Sequence, residues 1–112
     1  MRIAIDAMGG DYAPQEIVKG AIEASRAFGI SIALVGRPEA ITPYLPKNPK
    51  FASRLSIINA SQEILFREHP TQTIGLKPDS SIVVGMHLLK QGEADAFVSA
   101  GSTGAVVAAA LL

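Results

Sequence analysis

The chain has 112 residues, 48% of them apolar, with ten basic residues balanced by ten acidic ones and no cysteine. That is enough for one buried core in a soluble globular domain, and it excludes disordered and fibrous classes. Zero formal charge provides no general pull toward nucleic acid or an anionic bilayer, and a cysteine-free chain has no disulfide framework, thiolate metal site or cysteine nucleophile. Met1-Arg2-Ile3 leads into a strand-like run without a signal-peptide pattern, which makes the cytoplasm the expected compartment.

Arg2 to Asp6 reads as a short apolar strand ending in a carboxylate, followed by a turn at Gly9-Gly10. Pro14 suits the first position of a helix and Gly29 the position just past its end, while Ile17, Ala21, Ala24 and Phe28 recur between them at helical spacing. A second strand is expected over Ile32 to Val35, closed by Gly36, then a short helix from Pro38 toward Leu45 that Pro43 disturbs. After a loop at Pro46, Asn48 and Pro49, a third strand runs from Leu55 to Ile58 and ends at Asn59. Ala60 to Pro78 shows no clean periodicity; Glu63 to Arg67 and Thr71 to Gly75 suit single helical turns broken by Pro70, and the whole reads as a covering loop. Asp79 or Ser80 then caps a helix that carries Ile82, Val83, Met86 and Leu89 on one side and ends at Gly92. A fourth strand, Ala94 to Ser99, leads through Gly101-Ser102-Thr103-Gly104 into the apolar run Ala105 to Leu112. That run is too short for a membrane span, which takes about 20 residues. It stops without a polar cap, a terminal glycine or a basic last turn, so residues 1–112 are expected to be the N-terminal portion of a single α/β domain, cut inside a helix.

Four short apolar strands separated by helices imply right-handed crossovers and a three-layer αβα arrangement around a mostly parallel sheet. Ligands of such sheets bind beyond the carboxyl ends of the strands, where this chain places Asp6, Gly36, Asn59 and Ser99. If the first and fourth strands are neighbours, Asp6 with Gly9-Gly10-Asp11 and Ser99 with the 101–104 turn share one pocket. The glycine-rich turn is expected to be an anion site, because successive backbone N–H groups can form a concavity and a helix that starts there adds about half a positive charge. Ser99, Gly101, Ser102, Thr103 and Gly104 are accordingly the candidate phosphate-binding residues.

The other candidates have two readings each. Gly9-Gly10 is a ligand loop or a plain turn, Asp6 is catalytic or caps the loop that follows it, and Asp11 acts at the site or only favours the dipole of the helix behind it. Lys77 and Arg67 steer an anion or simply sit at the surface. Neither His69 nor His87 has a partner at ligand spacing, so no metal is expected. There is no nucleophile elbow, no Walker A lysine, no dinucleotide G-x-G-x-x-G, and no interleaving of basic and aromatic residues of the kind that binds nucleic acid. The residues by themselves reach as far as a phosphate-handling enzyme.

Four segments carry a resemblance further. Ile3-Ala4-Ile5-Asp6-Ala7-Met8-Gly9-Gly10-Asp11-Tyr12-Ala13-Pro14, Lys77-Pro78-Asp79-Ser80-Ser81, Gly92-Glu93-Ala94-Asp95-Ala96 and Ser99-Ala100-Gly101-Ser102-Thr103-Gly104-Ala105 together resemble the PlsX family, the phosphate acyltransferases of bacterial phospholipid synthesis. They occur in the family's order, with Tyr12 in place of its histidine and Ser102 in place of its asparagine. The resemblance implies an isocitrate dehydrogenase/phosphotransacetylase-like fold and a chain roughly three times as long. The implied reaction is transfer of a long-chain acyl group from acyl carrier protein to inorganic phosphate, giving an acyl phosphate without metal or organic cofactor. It also implies a homodimer and peripheral contact with the membrane. Phosphate itself attacks the thioester carbonyl in such a reaction, so the protein need only hold it and stabilise the oxyanion. On this reading Asp6 and Asp11 shape the pocket or manage a proton, and Gly9, Gly10 and Asn59 line it for substrate. Two alternatives stay open: a phosphotransacetylase-like enzyme acting on coenzyme A thioesters, and a non-catalytic ligand-binding or dimerisation fragment.

Overall fold

The computed structural model describes residues 1–47, 53–64 and 74–111. In chain order these form β1 (Arg2–Asp6), α1 (Gln15–Phe28), β2 (Ser31–Gly36), α2 (Pro38–Ile41) with a 3-10 turn at Thr42–Tyr44, β3 (Leu55–Asn59), α3 (Ser81–Lys90), β4 (Ala96–Val98) and α4 (Thr103–Leu111). The loop expected at Asn48-Pro49, most of the two turns expected between Glu63 and Gly75, and Arg67, His69, Pro70 and Leu112 lie outside the described residues.

The strands pair in the order β3-β2-β1-β4, all parallel. Alternation along β2 separates two cores. Ile32 and Leu34 face Val18 and Ala21 of α1 and Ile41 of α2, whereas Val35, with Ala4 of β1, meets Leu88 of α3 and Ala60 on the opposite side. Full burial of each such aliphatic side chain stabilises by about 1.5–3 kcal/mol, and a one-residue slip would turn both sets the wrong way. A third cluster joins α3 to α4 through Ile82, Val83, Met86, Ala105, Ala108 and Ala109. Helices therefore cover both faces of the parallel sheet, as expected of an α/β fold.

Local signals explain most boundaries. α1 ends where Gly29 enters the left-handed region at φ 64° and its N–H bonds the Ser25 carbonyl at 3.0 Å. Pro14 stands one residue before the helix rather than at its first position. The buried stripe is Val18, Ala21 and Ser25, so Phe28 departs from the expected core face; in the last turn, beyond the sheet contact, it is 76% exposed. Pro43 does interrupt the short helix, which tightens into the 3-10 turn. Ser80 rather than Asp79 caps α3, its Oγ accepting from Val83 N at 3.3 Å, while Asp79 is tied to Ser61. β4 is shorter than expected at both ends. The Ala94 N–H is taken by the Leu88 carbonyl, and Ser99 already turns inward to make side-chain bonds.

Candidate functional site

Asp6 ends β1 on the face covered by α3 and is 1% exposed. A buried carboxylate is costly unless donors surround it, and four do. Met8 N and Gly9 N donate to Oδ1 at 3.0 Å each, Ser81 Oγ donates to Oδ1 at 2.5 Å, and Ser99 Oγ donates to Oδ2 at 2.8 Å. One side chain thus ties together the loop after β1, the start of α3 and the end of β4. The Ser99 hydroxyl in turn accepts the Gly101 N–H at 3.0 Å, which passes the constraint into the glycine-rich turn.

β1 lies between β2 and β4 in the sheet, so the connections diverge on either side of it and the β1–β4 seam is the switch point of the sheet. Here the two glycine loops come into direct backbone contact. A Cβ added to Gly9 would collide with the Asp6 carboxylate and stand 3.0 Å from Gly101 Cα, and one added to Gly101 would stand 3.4 Å from Gly9 Cα. Gly10 has φ 112°, a conformation few side chains tolerate. A cavity of about 270 Å³ opens beside this contact, bounded by Met8, Gly9, Gly10, Gly101, Arg37 and Glu63 among others.

Ser102 is buried and directly precedes α4. Its Oγ accepts from Ala105 N at 3.3 Å and its carbonyl from Val106 N at 3.1 Å. Thr103 and Gly104 are exposed, and as the first two helical residues their N–H groups have no carbonyl within the helix to bond. Of the candidates, then, Asp6, Gly9, Gly10, Ser99 and Gly101 meet at the seam, with Ser102, Thr103 and Gly104 directly after it. Asp11 is exposed beyond Gly10. Asn59 is exposed at the end of β3, the far edge strand, and does not border the cavity. Sequence reasoning missed Ser81, Arg37 and Glu63. Ser81 follows the helix cap, and a serine opening a helix that points toward strand ends is a signal for it. Arg37 directly follows the glycine that closes β2. Among the described residues no group of three or more His, Cys, Asp or Glu is placed to hold a metal.

An all-parallel sheet whose loops gather at a carboxylate-tied switch point defines an open α/β protein. The family model described as fatty acid synthesis protein matches residues 1–112. The chain belongs to that family, which bears out the resemblance drawn from its four motifs. It is 54% identical over its whole length to a phosphate acyltransferase of Desulfitobacterium hafniense, covering 33% of that protein. It is 57% identical to one of Heliobacterium modesticaldum, covering 100% of this chain and 34% of the relative. A phosphate acyltransferase of Gloeobacter violaceus is 52% identical over 99% of the chain and 32% of its own length. The chain thus spans about a third of the length of the curated relatives it matches.

Proposed function

We propose that the protein of which this chain forms part transfers a long-chain acyl group from acyl carrier protein to inorganic phosphate, giving an acyl phosphate for phospholipid synthesis. A phosphate oxygen attacks the thioester carbonyl carbon, the new C–O bond forms, the C–S bond breaks, and the thiolate leaves to take up a proton. The observation that carries the reading is the end of the β1–β4 seam: a turn held from below by Asp6 and Ser99 presents the Thr103 and Gly104 amides at the start of α4. Phosphate near neutral pH is itself nucleophilic, so the turn's task is to hold and orient it. The family and the names of the relatives support acyl transfer to phosphate.

In this reading Thr103 and Gly104 bind phosphate through backbone N–H groups, with the Ser102 and Thr103 hydroxyls beside them. Ser99 and Gly101 set the turn, and Asp6 shapes the pocket from beneath. Asp11, exposed on the same loop, is the carboxylate available to manage a proton, and Gly9 and Gly10 give the substrate close access to backbone. A role for Asn59 would require substrate to reach across to β3. A homodimer and peripheral membrane contact belong to the same reading and rest on the family resemblance, and a cytoplasmic location rests on the strand-like start at Met1-Arg2-Ile3.

The test is to incubate the full-length protein with acyl–acyl carrier protein and phosphate and to trap the product with hydroxylamine. Hydroxamate formation that depends on both substrates is expected. Turnover with coenzyme A thioesters but not with the carrier protein would move the assignment to a phosphotransacetylase-like enzyme, and no turnover with either would remove the enzymatic reading.

A further inference from the structure

Arg37 is the residue that the cavity beside the glycine loops leaves unexplained. It stands directly after β2, and its Nη2 pairs with Glu63 Oε1 at 2.8 Å, the two side chains being 43% and 29% exposed. Its Nε is shielded from solvent and has no hydrogen-bond partner among the described residues. A guanidinium offers five donors in a fixed fork that fits a phosphate bidentately, and here one edge of that fork is held while the Nε edge is unmatched. A buried donor without a partner is unfavourable, and a phosphate oxygen taken up by a small rotation of the side chain would satisfy it.

The surroundings favour an anion. The Glu63 carboxylate is paired with Arg37, and its backbone carbonyl accepts from Lys77 Nζ at 2.8 Å, so the one carboxylate that borders the cavity is already compensated. The facing wall is Gly9, Gly10 and Gly101, where no side chain keeps a ligand from the backbone. Asp6, the other carboxylate of the seam, is saturated by its four donors and buried.

We propose that Arg37, whose guanidinium Glu63 shares through its Nη2 edge, is a receptor for a phosphate group in this cavity. The inference rests on the phosphate-transfer reading for the source of that group, which is either the acceptor phosphate or the phosphate ester on the pantetheine arm of the acyl donor. In the full-length protein, Arg37→Gln is expected to raise one Michaelis constant about tenfold or more, the usual scale for a charged hydrogen bond, with Arg37→Lys intermediate. A rise confined to phosphate assigns the acceptor, and a rise confined to the acyl donor assigns the pantetheine ester. Glu63→Gln is expected to act in the opposite direction, lowering the same constant about twofold to fivefold by releasing the guanidinium from an exposed ion pair; a merely structural pair would show the two variants moving together. Both constants within twofold of wild type in Arg37→Gln, or both rising equally, would overturn the proposal. Calorimetric titration with inorganic phosphate alone separates it from the transferase reading. Weaker phosphate binding by Arg37→Gln in a protein that forms no acyl phosphate would sustain the receptor and remove the transferase.

Discussion

Ser99 Oγ donates to Asp6 Oδ2 at 2.8 Å although the two residues are 93 positions apart. The same hydroxyl accepts the Gly101 N–H at 3.0 Å, so a carboxylate on β1 sets the path of the turn after β4. Ser99→Ala should leave that N–H without its partner and Asp6 with one donor fewer. We expect a loss of about 1–2 kcal/mol in urea unfolding and a larger rise in KM for phosphate than for the acyl donor. Ser99→Thr keeps the hydroxyl and should restore most of both.

Asp6→Asn keeps the shape of the side chain but puts an NH₂ group among donors. With four hydrogen bonds at stake, the expected destabilisation is about 2–4 kcal/mol, above that of Ser81→Ala, which removes one donor and should cost about 1 kcal/mol. Equal midpoints for the two variants in denaturant would show that Asp6 does not hold the three segments together.

Two glycines make opposite predictions from the same measurement. A Cβ on Gly85 of α3 would fall within the Phe97 ring of β4, so Gly85→Ala should destabilise by about 1–3 kcal/mol through overpacking. Phe97→Leu should relieve part of that loss. Gly20, on the exposed side of α1, has nothing within 4 Å of an added Cβ, and Gly20→Ala should stabilise by about 0.5–1 kcal/mol because alanine restricts the unfolded chain and favours helix.

Gly104→Val places a branched side chain at the second position of α4, where the proposed phosphate approaches the backbone. KM for phosphate should rise well beyond that for the acyl donor in full-length protein. An equal rise in both would point to a general distortion of the turn.

The Asp79 carboxyl is held below the usual carboxylate range by the Ser61 hydroxyl, with further help from the Ser61 N–H at 2.9 Å and slight opposition from desolvation. A depressed folded value means that the tie is fully present above the unfolded carboxylate value, about pH 4, and is lost as pH falls through the lower folded one. Below about pH 4 the stability of wild type should therefore fall toward that of Asp79→Asn, as followed by thermal melts in an acid series. Parallel curves would refute the tie.

How much of this was legible in the sequence depended on the range of each signal. The helix between Pro14 and Gly29 and the Pro43 interruption are decided within a few neighbouring residues, and the local pattern marks both, whereas it narrows the α3 cap only to Asp79 or Ser80. Phe28 was misplaced because helical spacing cannot tell where the sheet beneath a helix runs out. At the site, the glycine turns and Asp6 stood out as residue types at strand ends. The Ser81–Asp6 bond, spanning 75 positions, and the Arg37–Glu63 pair had no local mark, since nothing in either neighbourhood specifies that β1 lies between β2 and β4.

That placement of β1 has a consequence for how the chain comes to be folded. The strand made first pairs with β2 soon after, but its other edge has no partner until β4 emerges, more than 90 residues later. Non-local pairings of this kind form late, because the intervening loop must close before any contact rewards it. During synthesis at about 5–20 residues per second, Asp6 therefore waits several seconds for Ser99. Any ligand that needs the joined glycine loops reports on the joining of β4 to β1 rather than on the earlier β1–β2 pairing.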